Sequence, residues 1–441
     1  MQSTQACEDL IDFRRAVYHT LGLRKDSLFS LSDAVLVATG PETLARHTLA
    51  PVFERRWSSA SDALCDGRLS AAALRRLLAR QAVPTAVAGR EVWAVDGTIW
   101  PRPSAKTSCE RTYGHQPRDG SPDHGVVAAW EYQWLVAVPA AHGSWILPLD
   151  VVRRNPGAGS PTALAIGQLR SALRLRPAGA ARPVVTFDSQ YDVADLARAS
   201  LAADLLIRLP SRRRFFRPPP PYSGMGPRTL KHGPVFKLPK PSTHGTPDRT
   251  QVVEDATHGR MQIDVWQSLH DQHAADLSFA VIRVTAARLP RHDRPPKPLW
   301  LVWIGGPLPT DLFDLWHWYR CRFIIEHGFR FAKQDLGWTH VRPMAPESAD
   351  RWTWLLVMVF WQLWLGRLNI ADRRLPWESP SSTTGPSPGR VRRAFAGLLA
   401  RVGTPVRPPQ PRGNSPGRQP GQCPGPRSRF PVARRTPARA H

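Results

Sequence analysis

The segment YRCRFIIEHGFRFAKQDLGW carries Tyr319, Arg322, Glu326 and Lys333 at offsets of 0, 3, 7 and 14. At about 100° per residue in an α-helix, these offsets fall within roughly 60° of one another, so all four side chains are expected on one stripe. One acid among two cations and a phenol suits a scissile phosphate. The carboxylate can hold a divalent cation while Arg and Lys neutralise phosphate oxygens that a bare carboxylate would repel. Such a site needs two more carboxylates, and two strand-like runs offer them. In EVWAVDGTIW an apolar run ends at Asp96 and is followed by Gly97, and in RPVVTFDSQYD the run Val184 to Phe187 ends at Asp188. Two strand-end aspartates and a helical glutamate can converge on two Mg²⁺ ions about 3.5 to 4 Å apart, the arrangement for in-line phosphoryl displacement.

These segments resemble the DDE transposases of bacterial insertion sequences, in particular the group with a Y-x2-R-x3-E-x6-K signature. Tyr319, Arg322, Glu326 and Lys333 match that signature at every spacing, and Asp96 and Asp188 fall where the family has its first and second acids. The resemblance covers the chain from about Glu91 to Gly366. It implies an α/β protein with an RNase H-like catalytic core, a mixed five-stranded sheet with flanking helices, interrupted between Asp188 and Glu326 by a β-rich insertion. It also implies that Asp96, Asp188 and Glu326 hold the metals and that Tyr319, Arg322 and Lys333 position phosphates. In the family a tryptophan of the insertion stacks against a base flipped out near the cleavage site, and Trp300 and Trp266 are the candidates, with a core role the competing reading for both. Hydrolysis at the element's end would free a 3′-OH that then attacks target DNA. A homodimer synapsing two ends is implied by the family alone, since the sequence shows no dimer motif. Oxygen ligands accept Mn²⁺ as well as Mg²⁺.

Composition points the same way independently. With 60 Lys and Arg against 35 Asp and Glu, the net charge is +25. A surplus that large suggests a polyanion partner bound by counterion release. Only seven cations are lysine, which fits a GC-rich genome as well as it fits phosphate recognition. The five cysteines lack CxxC spacing, so neither a zinc site nor a disulfide framework is supported, and a reducing bacterial cytoplasm, in contact with the nucleoid, is the expected setting. The N-terminus has early acids and no apolar signal core. Trp352 to Gly366 runs fifteen residues without charge, short of the roughly 20 that span a bilayer, so a buried helix is expected there and no membrane partner.

Positioning the acids falls to elements spread over most of the chain. Residues 1–88 look like an N-terminal helical domain, able to bind DNA ends or simply to pack, with apolar spacing in LIDFRRAVYHTLG, a cap-like Ser30 or Ser32, and the run AAALRRLLAR. Strands and a helix over 89–200 form the first part of the core, where Glu131 and Asp150 are weaker rivals for a place in the triad. Over 201–305 comes the β-rich insertion, opened by SRRRFFRPPPPYSGMGP, an expected exposed loop whose interleaved Arg and Phe could meet DNA. Residues 306–374 return to the core with the glutamate helix. There Asp335 rotates off the stripe, and His327 turns about 100° from Glu326, placing it for packing or hydrogen bonding rather than for general-base work. Residues 375–441 read as a Pro/Arg-rich tail with one short basic helix. From Val402 onward it has eight arginines, ten prolines and no acid, so it is expected to be disordered and drawn to DNA phosphates.

Two rivals share these features. An RNase H-like structure-specific nuclease needs the same carboxylates but gives no reason for the Tyr/Arg/Lys stripe. A domesticated or inactive transposase-derived DNA-binding protein keeps fold and charge, and intact acids alone do not separate it from an enzyme.

Overall fold

The computed structural model describes all residues except 1, 86, 117–124, 222–229, 289–295, 379–384, 412–418, 420, 424 and 435–441. In chain order the elements begin with five helices, α1 (Gln2–Thr20), α2 (Lys25–Val37), α3 (Leu44–His47), α4 (Trp57–Asp66) and α5 (Ala71–Ala79). Strands β1 (Val92–Pro101), β2 (Thr112–Gln116), β3 (Gly125–Val138) and β4 (Leu147–Arg154) come after them, then α6 (Pro161–Arg174), β5 (Val184–Phe187), α7 (Val193–Arg198) and β6 (Asp204–Arg208). Next are β7 (Arg214–Phe216), β8 (Val235–Lys237), β9 (Arg249–Asp255), β10 (Gly259–Asp271), β11 (Ala274–Ala286) and β12 (Leu299–Ile304). The chain then returns to helices with α8 (Phe313–Cys321), α9 (Ile324–Arg330), a π-helical turn at Phe331–Asp335, α10 (Pro346–Gly366) and α11 (Pro388–Val402).

Five strands lie in the order β4-β3-β1-β5-β6, with β1 antiparallel to β3, β3 to β4, and β1 parallel to β5 and β5 to β6. A mixed sheet of this order with helices on its faces is consistent with the RNase H-like expectation. The insertion is not a separate layer, because β12 pairs antiparallel with β6, from Leu301↔Arg208 to Ile304↔Leu205, and β11, β10, β7 and β8 extend the same sheet. Pairing onto β6 satisfies what would otherwise be an exposed edge of the core.

Residue alternation along β1 and β3 divides the two faces of the core sheet. Gln133 faces α6 and hydrogen-bonds Gln168 at 2.9 Å, whereas its neighbours Tyr132 and Trp134 face α10 and the Trp338 ring. The apolar run Trp352–Gly366 is the hub of that second face. It is buried along α10, which packs on α1, α2, α4, α11 and β4. No described helix is long and apolar enough to cross a membrane.

Several expectations need correction. Ser30 and Ser32 do not cap a helix; both lie inside α2, and the Ser32 hydroxyl accepts from Gln362 Nε2 at 3.2 Å in the interface with α10. The Arg/Phe run after residue 210 is partly a strand: along β7 the exposed Arg214 alternates with the fully buried Phe215, and Arg213, just before the strand, pairs with Asp271 at 2.6 Å. The last part of that stretch, 222–227, lies outside the described residues, as does 379–384 of the expected linker. The chain also keeps core character beyond Leu375. In α11, Val391, Phe395, Leu398 and Leu399 are buried, and Arg392 donates to Val35 O at 3.0 Å and Asp335 O at 2.5 Å. The tail is not wholly disordered either. Arg407 N donates to Asp26 at 3.1 Å, Phe430 N to Lys106 O at 2.9 Å and Ala433 N to Arg111 O at 2.8 Å. Extended proline-rich backbone makes no internal hydrogen bonds, and these three amides are paired here with the surface the segment crosses.

Candidate active site

The parallel register of β1 and β5 sets the two aspartates. Val92 pairs with Val184 and Ala94 with Thr186, so the same offset continued by two residues places Asp96 opposite Asp188. Neighbouring strands lie about 4.8 Å apart, and equal parity sends both carboxylates to one face. Asp188 stands directly after the last residue of β5, where its carboxylate accepts from Gln190 N at 2.9 Å and Gln190 Nε2 at 3.0 Å, a local Asx-type turn that fixes its direction. Asp96 differs from expectation in one respect, since β1 does not end there but runs on to Pro101 along β3. The end of β5, not of β1, opens the space beside it.

The glutamate helix is interrupted twice. Between Tyr319 and Glu326 the backbone tightens to i→i+3 bonds, with Arg322 N on Tyr319 O at 3.1 Å, Ile325 N on Arg322 O at 3.0 Å and Glu326 N on Phe323 O at 3.2 Å. After Arg330 it widens into the π-helical turn that carries Lys333. The straight-helix stripe therefore does not survive as a single line, because each irregular turn rotates the residues beyond it. Tyr319 and Arg322 point down to the sheet, being 0% and 5% exposed, while the Glu326 side chain stands 59% exposed at the rim. Lys333 lies 5.9 Å from the Trp338 ring centroid. Gly328 lets this helix sit close, since a Cβ there would meet Ile146 Cδ1 at 2.2 Å.

Arg322 is the centre of the site. One guanidinium nitrogen lies 2.8 Å from Asp96 Oδ2 and 3.7 Å from Asp188 Oδ2, and the other lies 4.0 Å from Glu326 Oε1. Asp96, Asp188 and Glu326 are thus gathered around a single cation. This crowding sets the electrostatics: burial pushes Asp96 up to about 6, with the Asp188 and Glu326 charges adding to the rise and Arg322 and the Gly97 amide opposing it. Tyr191, buried beside both aspartates, is raised well above the ordinary phenol range by burial and by those two charges, which keeps it a neutral donor. Burial also raises Tyr319, against the Arg322 and Arg208 charges.

The other candidates lie elsewhere. Asp150 is buried against Arg75 at 2.7 Å, and Glu131 lies 3.3 Å from Arg154, so neither joins Arg322. Trp300 and Trp266 are 6% and 1% exposed, 5.8 Å apart in an aromatic cluster with Phe236 and His244 inside the insertion. Covered in this way, neither ring face is open to a base. His327 and Asp335 are exposed. Sequence reasoning missed the role of Arg322 as hub of the acids and the buried Tyr191; the only signal for the first was its i,i+4 spacing to Glu326.

Among the described residues, no group of three or more acids, histidines or cysteines is disposed around a metal position as the side chains stand, with Arg322 between the carboxylates. The donor set nevertheless fits a hard divalent cation. Three carboxylates against one guanidinium leave a surplus of negative charge, and oxygen donors are what such ions take.

A family model of the DDE superfamily endonucleases matches residues 16–270, more than half of the chain. The chain belongs to that family, which implies a DNA substrate and a nuclease or transposase type of activity supported by divalent metal ions. The matched stretch contains Asp96 and Asp188 and ends before Glu326. Comparison with curated proteins finds no match.

Proposed function

We propose that this DDE superfamily endonuclease is the transposase of a cut-and-paste insertion element of the YREK-signature group, cleaving double-stranded DNA at the element's ends and joining them to target DNA. The observation that carries this reading is the convergence of Asp96, Asp188 and Glu326 on Arg322, from adjacent strands and one helix. Asp96, Asp188 and Glu326 would hold two Mg²⁺ ions, with Mn²⁺ also compatible. Bound there, the ions supply Lewis-acid activation of the attacking group and neutralise the charge that develops in in-line displacement.

The protein's own residues then have distinct tasks. The carboxylates must be ionised and turned off Arg322, and the freed guanidinium presents its nitrogens in a fork that matches phosphate oxygens. Lys333 adds a second cation along the strand near cleavage, and Tyr319 backs Arg322 from below. Because displacement by water and displacement by a 3′-OH are the same in-line reaction, one site serves both stages. Pairing two ends before cutting would require a homodimer in the DNA complex, working in the bacterial cytoplasm on the nucleoid.

The test is Mg²⁺-dependent cleavage of a labelled duplex carrying the element's end, with wild type beside Glu326→Ala. Cutting at the end by wild type alone, with both proteins binding, supports the reading. Binding without cutting by either favours a DNA-binding relic, and equal cutting by both removes Glu326 from the site.

A further inference from the structure

Six residues beyond Asp96 the chain builds a second charged region with the opposite imbalance. Asp96, Thr98, Trp100 and Arg102 alternate along β1 and its extension, where Arg102 N donates to Ala128 O at 2.7 Å, so all four share the face that carries the acids. Arg102 is 6% exposed and Arg111 3% exposed. Arg102 donates to Ser108 Oγ at 3.1 Å and Pro343 O at 2.6 Å, and among the described residues its Nε has no partner. Arg111 donates to the carbonyls of Ser108 at 3.0 Å, Arg102 at 3.3 Å and Phe430 at 2.7 Å. Among the described residues, neither meets a carboxylate. Arg102 also lies 4.8 Å from the Trp130 ring centroid, and buried guanidinium groups that meet only neutral partners keep part of their desolvation cost. Burial, with the neighbouring Arg342 and Arg111 charges adding to it, lowers Arg102 to about 10.

A groove of about 710 Å³ opens on this cluster, lined among others by Thr43, Trp100, Arg102, Ser104, His340 and Arg342. The C-terminal segment runs along its margin, held by Phe430 on Lys106 and by Arg427, whose Nη1 lies 2.7 Å from Met344 Sδ. That docking brings the exposed Arg427 to Met344, two residues from the exposed Arg342 in the groove's lining.

We propose that this groove is a second phosphodiester-binding surface, which takes the backbone of the duplex flanking the cleaved phosphate and supplies the counter-charge that Arg102, in its lining, lacks. The anion site stands on its own observations; its relation to cleavage rests on the transposase reading. Six residues of strand span about 20 Å, and at about 3.4 Å per base pair along the duplex axis this places the contact about six base pairs from the site of cutting. The groove's size, about 710 Å³, and the shared face with the acids favour a polymer over a free phosphate.

The test measures duplex binding by fluorescence anisotropy across a salt series in a Glu326→Ala background, so that no cutting intervenes. Replacing the exposed Arg342 and Arg427 by alanine is expected to flatten the slope of log affinity against log salt by about two, one for each lost phosphate contact. Arg174→Ala, on α6 against the opposite face of the sheet, should leave the slope as it is. An unchanged slope in the double variant, or an equal loss in Arg174→Ala, overturns the proposal. Inorganic phosphate that stabilises the parent but not the double variant, with the duplex slope unaltered, would make this a free-phosphate site and also overturn it. Arg102→Ala is avoided as a primary test because its burial puts folding at risk. Cleavage tests the acids and binding tests the groove, so each idea can fail without the other.

Discussion

The middle of β1 and the extension just past its C-terminal end solve opposite problems on one face of the sheet. At Asp96 three carboxylates share one guanidinium, and the surplus is negative. At Arg102 two buried guanidinium groups meet carbonyl and hydroxyl oxygens and the Trp130 ring but, among the described residues, no carboxylate, and the surplus is positive. Neither imbalance lowers the energy of the isolated protein, since buried charge without a partner costs more than an apolar replacement of the same volume. Both become favourable when a ligand brings the missing sign: cations to the acids, a phosphodiester to the arginines. Under the proposed function, cutting DNA with metal help would need both signs, kept apart by a stretch of strand so that they do not neutralise each other.

The largest expected effect breaks the acid end alone. Glu326→Ala or Asp188→Asn should lower cleavage by more than the 10- to 100-fold typical of removing a group that merely supports a metal ligand, with duplex binding and its salt slope intact. Arg322→Gln comes next and separates the two roles of that residue. With the shared cation gone, the metal-free fold should lose about 2 kcal/mol, less than the full cost of a broken buried pair because the carboxylates are partly solvated. Divalent ions should then raise the melting temperature of Arg322→Gln more than that of wild type. A variant as stable as wild type without metal would show that Arg322 does not hold the acids together.

Much of the acid end was legible in sequence because it is local. Asp96 and Asp188 end runs whose apolar pattern fixes a strand, and the Arg322–Glu326 spacing is set within one turn. The illegible part depends on contacts distant in sequence. The i→i+3 tightening before Glu326 and the π-turn at Lys333 leave no mark in residue spacing. The burial of Trp300 comes from its register against Arg283 on β11 and from Phe236 and His244 packing around it. The basic groove was invisible for the same reason. Arg102, Arg342 and Arg427 are scattered over the chain, and an arginine-rich composition hides three that matter among many that do not. The tail was misread because composition reports what a segment does in isolation, and Phe430 docks only when Lys106 and Arg111 are already in place.

A smaller effect tests how the acids are held. Gly328→Ala adds a Cβ against Ile146, and overpacking at such a contact costs about 1–3 kcal/mol as the helix lifts from the sheet. Cleavage should fall because Glu326 moves with α9, whereas the Arg102 groove, built on the far end of β1, should keep its salt slope. Equal damage to both would mean the two ends are not independent.

The smallest effect is a pH dependence peculiar to the acid end. The folded protein holds Asp96 at about 6 against an ordinary 3.8. Within that window the folded state binds more protons than the unfolded one, so Asp96 contributes stability that is fully present below pH 3.8 and is lost as pH rises towards 6. In the presence of a chelator, the difference in stability between Asp96→Asn and wild type should therefore grow in favour of the variant across this window, and then level off. Acids that do not interact with Asp96 contribute equally to both proteins and cancel, whereas Asp188 and Glu326, which act on Asp96, do not. Divalent ions should reverse the trend for wild type, since they bind the ionised carboxylate that burial disfavours, and should do so much less for the amide. A difference that stays flat with pH in the chelated protein would mean that Arg322 already compensates Asp96 in full, and the acid end would then carry no stored imbalance for a cation to relieve.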